Sequence, residues 1–285
     1  MAQIIVNIII ATGVTTLIAL GFALIYQTTH FFDFAYGIIL TSGAYFIFLF
    51  KEWLHFPLII SAIIAAILSA LLGCLIDFFI YRQLRKQGAT SLILLLASLG
   101  TYTVLQNVIS IIFGDTTRTI RSGIIKEGIS FLDARITSVQ ISIVCVSLLL
   151  VIAVALFLKK TRTGQAIRAV ANDPQLAEIA GIKSDRIIGV TFALGSALAG
   201  VAGILISFDI DVTPTMGMNS MMAGVVAAIV GGVGSISGAL LGALFLSTAQ
   251  NVGAAFIGFQ WQETIAFILL LAFLLLKPQG FLGKS

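Results

Sequence analysis

Charged residues are sparse along this chain, and their positions divide it into long apolar runs. Charge-free windows cover 4–26, 34–50, 53–76, 87–114, 136–158, 187–208, 212–262 and 264–276. The first, about 23 residues, makes a helix of roughly 34 Å at 1.5 Å per residue, enough to cross the hydrocarbon core of a bilayer. No run alternates apolar with polar residues as a membrane barrel would require. The pattern therefore predicts an all-α polytopic transmembrane protein of about eight spans, forming one domain over residues 1–285. The window 212–262 is too long for a single span. It contains Gly231-Gly232-Val233-Gly234-Ser235, a run that favours a break in helix. Broken or re-entrant helices are thus expected, here above all.

Lys and Arg set the expected orientation. Arg82, Arg85 and Lys86 occupy loop 81–91, and Lys159, Lys160, Arg162, Arg168, Lys183 and Arg186 occupy loop 159–186. Both loops are expected inside. Loop 114–135 is then outside, although it mixes Arg118, Arg121, Lys126 and Arg135 with Asp115, Glu127 and Asp133. The tail, with Lys277 and Lys284, falls inside only if 219–258 enters and leaves from the same side. Met1-Ala2-Gln3 lacks the basic region of a signal peptide, so the first run reads as a retained span.

Composition narrows the function classes. Hydrophobic residues make up 59% and charged residues 10%, with a mean hydropathy of +1.11. A soluble domain carries about 25% charged residues, so a soluble enzyme, a disordered chain and a disulfide-stapled domain are excluded. The net charge of +4 belongs to loop lysines and arginines and does not indicate nucleic acid. Cys74 and Cys145 sit inside apolar runs and read as small buried hydrophobes. His30 and His55 lack metal-ligand spacing, and no catalytic set is clustered. The ending Gly283-Lys284-Ser285 looks like part of a phosphate loop. The earlier glycine position holds Pro278, however, and the chain stops where the helix should begin. No cofactor, metal or enzymatic activity is expected.

Polar groups inside apolar runs are costly without a partner. Gln106 and Asn107 lie mid-run near Ser98, Thr101 and Thr103, and Asp33 opens a run after Thr28, Thr29 and His30. Asp33, Gln106 and Asn107 either line a hydrated path or fix a helix break; the alternative is interhelical hydrogen bonding without substrate contact. Gly231, Gly232 and Gly234 are candidates for the same path. Asp77, near the end of its run, has Arg82 as its expected partner. Gly234, Gly238 and Gly242 recur every four residues, as do Gly195, Ala199 and Gly203, a spacing that lets helix backbones approach closely.

The loop Lys159–Arg186 carries the clearest local signals. Asp173 suits a helix N-cap and Pro174 the first helical position. Gln175, Leu176, Ala177, Glu178, Ile179 and Ala180 make two turns, and Gly181 suits a left-handed stop. Leu176, Ile179 and Ala180 give the short helix an apolar face. Ser184 is expected to cap the next helix. Such an element is either a docking contact for a partner or a solvated connector.

At this point the chain resembles a known family, the ABC importer permeases of the branched-chain amino acid uptake type. The loop 159–186 is similar to their cytoplasmic coupling loop. Asp33-Phe34-Ala35-Tyr36-Gly37 resembles an Asn-Phe-Ala-His-Gly element, and Tyr81-Arg82-Gln83-Leu84-Arg85 a Tyr-Arg-Pro-Leu-Arg element. Leu105-Gln106-Asn107, the glycine-rich Gly231–Gly238 and the tail Lys277–Gly283 follow in order. Asp33 and Tyr36 depart from the family's Asn and His. Ile38 stands where many members carry Glu, and Gly224 where many carry Lys. Two intramembrane ionisable groups are thus absent together, which leaves neither unpaired.

The resemblance implies a multi-pass inner-membrane permease subunit. It implies a second permease, identical or paralogous, ABC ATPase subunits docking on residues 173–181, and an extracytoplasmic substrate-binding protein. Branched-chain or other apolar amino acids are the implied substrates, with urea or short amides as an alternative. An ion-coupled secondary transporter is the rival class, and it would want buried charges that this chain has few of.

Overall fold

The computed structural model describes residues 2–119, 129–131, 134–277 and 279–282. Arg121, Lys126, Glu127, Asp133, Pro278, Gly283, Lys284 and Ser285 lie outside them. The helices are α1 (Ala2–Thr29), α2 (Ala35–Phe48), α3 (Leu58–Ile76), α4 (Arg82–Lys86), α5 (Ser91–Phe113) and α6 (Ser138–Lys160). They continue as α7 (Arg162–Asn172), α8 (Pro174–Ile179), α9 (Ser184–Asp209), α10 (Met216–Gly231), α11 (Ile236–Ile257) and α12 (Gln262–Leu276). A short antiparallel pair, β1 (Ile129–Phe131) and β2 (Ala134–Ile136), lies in the 114–137 connection; the hydrophobic pattern held no sign of it.

Among the described residues, seven helices are long and apolar enough to cross a membrane. One is the continuous Leu58–Lys86, which joins α3 to α4 through a π-helical turn at Asp77–Tyr81. Helix α10 is shorter, at 16 residues. Helix α2 ends in a second π-helical turn at Leu49–Trp53. The all-α polytopic expectation is met, and the break falls at the glycine run. There α10 and α11 form an antiparallel hairpin, with Gly231 on Gly238 and Gly242 on the Ala227 carbonyl. Segment 219–258 therefore does return to the end it started from.

One end of the bundle collects most of the basic residues. Arg82 pairs with Asp185 there at 3.2 Å, and Lys159, Arg168 and Gly234 border one cavity. The positive-inside rule assigns this end to the cytoplasm. The tail joins it: Phe281 and Leu282 donate backbone N–H groups to the Val230 and Gly231 carbonyls at 2.9 and 3.0 Å. These satisfy free carbonyls at the end of α10.

Between lipid-facing helices there is little hydrophobic drive, so close backbone packing must hold the bundle. Helix α1 is central, packed by α6, α9, α10 and α11. Gly21 of α1 meets Gly195 of α9, Gly43 of α2 meets Gly200, and Gly203 meets the Leu40 carbonyl. Gly195, Ala199 and Gly203 form a buried face of α9, and Gly238 and Gly242 pack closely on α10, but Gly234 stands in the turn with nothing within 4 Å of an added Cβ and belongs to no packing face. The cysteines depart from expectation: Cys74 is only partly buried and Cys145 is exposed, both as free thiols. Helix α6 turns an apolar face outward, where lipid rather than protein surrounds it.

Candidate functional site

The loop 159–186 folds as two helices. Thr161 caps α7 through Gly164 N–H at 3.0 Å, and Gly164, Ile167 and Val170 are its buried side. That three-residue recurrence is a local signal, legible in the sequence. In α8, Asp173 Oδ1 accepts from the N–H groups of Gln175 and Leu176 at 2.9 and 3.0 Å. Pro174 occupies the first turn, where its missing N–H is no loss. Ala180 N–H and Gly181 N–H close the last turn, and Gly181 adopts φ +84°. Ile182 N–H reaches the Ala177 carbonyl at 2.9 Å and Gly181 N–H the Glu178 carbonyl at 2.9 Å, the paired bonds of a Schellman stop.

Packing then decides which face is offered. Ala177 is buried, whereas Leu176 is 61% and Ile179 83% exposed. Gln175 and Glu178 flank them at the surface. Ser184 is not the cap of α9. Its hydroxyl donates to the Pro174 carbonyl at 3.1 Å, and Lys183 precedes the helix without a side-chain cap bond. The serine thus ties α8 to the root of α9, a helix that spans the bundle.

Asp33 is 1% exposed. Its Oδ1 accepts from Ala35 N–H at 2.9 Å and from the Tyr81 hydroxyl at 2.7 Å. It therefore holds the start of α2 against the π-helical turn, while Phe34 N–H donates to Ser98 Oγ at 3.0 Å. Asp77 pairs not with Arg82 but with Arg85, at 2.8 Å. The π-helical turn shifts the register, and Arg82 turns to Asp185 instead. Tyr81→Phe leaves the buried carboxylate without its hydroxyl donor. The expected loss is about 1–3 kcal/mol of stability, read as a lowered melting temperature in detergent, while Asp33→Asn keeps an oxygen acceptor and changes it less.

The remaining path candidates separate. Gln106 is half-buried and Asn107 exposed, with its amide donating to the Thr103 carbonyl on the same helix at 2.7 Å. Neither is brought to Asp33. Gly231, Gly232 and Gly234 form the hairpin turn at the basic end, and Gly234 borders a cavity of about 330 Å³ with Gln27, Lys159, Arg168 and Ser237. Gly224 is buried against Ile18 and Ala19, and Ile38 is fully enclosed, so apolar packing occupies both positions. The Tyr36 hydroxyl donates to the Ile18 carbonyl at 3.0 Å.

Comparison with known proteins places this architecture. A family model described as the permease component of branched-chain amino acid transport systems matches residues 4–274. The high-affinity branched-chain amino acid transport system permease protein LivH of Salmonella typhimurium is 32% identical, over 94% of this chain and 91% of that protein. The corresponding protein BraD of Pseudomonas aeruginosa is 34% identical, over 99% and 95%. A solved chain of PsaBC from Streptococcus pneumoniae, in complex with Fab, shares the fold, with a TM-score of 0.56 at 13% identity over 97% and 93% of the two chains. A near-full-length family match and seven apolar helices carry one conclusion: this chain belongs to the branched-chain amino acid transport permeases, multi-pass membrane subunits of ABC importers.

Proposed function

We infer that the chain is a gate for branched-chain amino acids, levered from the cytoplasm by separate ATPase subunits that dock on residues 173–181. The observation that carries this is the outward Leu176–Ile179 pair on a helix capped at both ends and clamped to α9. A water-facing connector gains nothing from two large exposed aliphatics, whereas a partner's cleft does. ATP binding would favour one of two permease arrangements through its differential contact with this helix.

A second permease, identical or paralogous, completes the path in this reading, and an extracytoplasmic binding protein delivers the substrate. Thr103 and Asn107 support it, because they are exposed polar groups beside the exposed aliphatics Val104, Val108 and Ile111 of the same helix. Facing lipid they are unfavourable; facing a wet seam between two subunits they are not. Asp33, by contrast, serves as a fixed brace for the start of α2.

The test is uptake into proteoliposomes containing permease, ATPase subunits and binding protein. Leucine, isoleucine and valine are expected to accumulate only with internal ATP. Accumulation of urea in their place would change the substrate class. Leucine uptake by the permease alone would replace the reading with that of an independent carrier.

A further inference from the structure

A cavity of about 530 Å³ opens between α1, α6, α9, α10 and α11, at the end opposite the coupling loop. Its size is that of a small-molecule site. It descends from Asn7, Gln140 and Gln262 to Ile18, about 16 Å along α1 at 1.5 Å per residue.

The lining is polarised by bonds that its amides make elsewhere. Asn7 Oδ1 accepts from Gln3 Nε2 at 3.2 Å, and Gln140 Oε1 accepts from Thr137 N–H at 3.1 Å. Among the described residues their NH₂ groups make no hydrogen bond, and each oxygen keeps a second lone pair. On the α11 side the situation is reversed. Gln250 Nε2 donates to the Gln262 carbonyl at 3.2 Å, and Asn251 Nδ2 donates to the Ser247 carbonyl at 2.8 Å. A carbonyl only accepts, so the nitrogens are assigned and the side-chain oxygens remain as acceptors.

Asp209, the last residue of α9, lines the same cavity. The helix end already presents carbonyl oxygens there, so two sources of negative potential coincide. Among the described residues, the lining contains no Lys, Arg or His to offset them. The apolar part of the lining includes Ile10, Val14, Ile18, Ile143 and Leu205.

We propose that this cavity is a holding site, within a single subunit, for the zwitterion of an aliphatic α-amino acid. The ammonium is taken by Asp209, Gln250 and Asn251, the carboxylate by the amides of Asn7 and Gln140, and the side chain by the apolar floor. A simple cation would leave the donor wall idle, and a lipid tail would leave both polar walls unmatched. The inference rests on the transport reading and adds where one subunit holds the substrate.

The test uses the permease assembled with its ATPase subunits in nanodiscs, titrated with radiolabelled L-leucine in the absence of the binding protein. Saturable binding is expected, weakened about tenfold or more by Asp209→Asn and partly recovered in Asp209→Glu. Neither 4-methylpentanoate, which lacks the ammonium, nor 3-methylbutylamine, which lacks the carboxylate, should compete well. Asn7→Leu probes the opposite wall: it should weaken leucine while leaving the weak competition by 3-methylbutylamine, measured at high concentration, unchanged, which loss of folding would not do. Equal leucine affinity in wild type, Asp209→Asn and Asn7→Leu overturns the proposal. So does effective competition by 4-methylpentanoate, the behaviour of a merely greasy cavity. ATP-driven uptake with the binding protein is measured on the same wild-type preparation. Uptake without saturable binding rejects only the holding site, whereas absence of uptake rejects the transport reading itself.

Discussion

Replacing Leu176 and Ile179 together by aspartate abolishes co-purification of the ATPase subunits and ATP-driven uptake, while the permease still inserts and folds. Both side chains point outward, at 61% and 83% exposure, so within the permease the change is a surface one, worth about ±0.5 kcal/mol. Across an interface the balance differs. Apolar anchors seated in a partner's cleft are each worth about 2 kcal/mol or more, near thirtyfold in affinity, and a carboxylate in the same place must also be desolvated. Two such losses leave too little contact to survive purification. Gly181→Val reaches the same end by another route. At φ +84° a β-branched residue is strained, and the Schellman stop that orients the helix is lost. The measurements are pull-down, uptake and size-exclusion profile. Undiminished uptake by the double aspartate variant would remove the docking reading.

Gly203→Leu is expected to cost about 3 kcal/mol or more and to eliminate monodisperse permease. A Cβ at this position would run into the Leu40 carbonyl of α2. The obstacle is backbone held in its own helix, so it cannot swing aside as a side chain would, and overpacking penalties reach their upper range. The neighbouring contacts compound the effect: Gly43 rests on Gly200, and Gly200 on Ser69, so pushing α2 away also loosens α3 from α9. Gly100→Leu is the contrast, because nothing lies within 4 Å of a Cβ added there; it should leave thermal stability nearly unchanged. Melting curves in detergent for the two variants check the pair. A Gly203→Leu protein as stable as wild type would mean that α2 and α9 do not cross at this point.

Much of this was legible along the chain, and the particular residues show why. Asp173, Pro174 and Gly181 act through bonds to residues two to five positions away, so their roles can be read locally. The glycine run at 231–235 breaks a helix wherever it stands. The apolar windows had to become helices because lipid offers backbone groups no other partner. Where reading failed, the partner lay far off in sequence or the chain's register changed. Asp77 met Arg85, eight residues on, because a π-helical turn carries that residue onto its face. Ser184 looked like a cap but bonds Pro174, ten residues back. Asp33 found Tyr81 across 48 residues, and the tail found the end of α10.

Local bonding and the demand of a bilayer are short-range constraints, so spans, caps and the break follow from the order of residues alone. Which carboxylate is braced, which aliphatics stay uncovered and which amides turn their oxygens toward a common hollow depend on contacts between remote helices. Those were decided only when the apolar helices packed against one another, with α6, α9, α10 and α11 closing around α1.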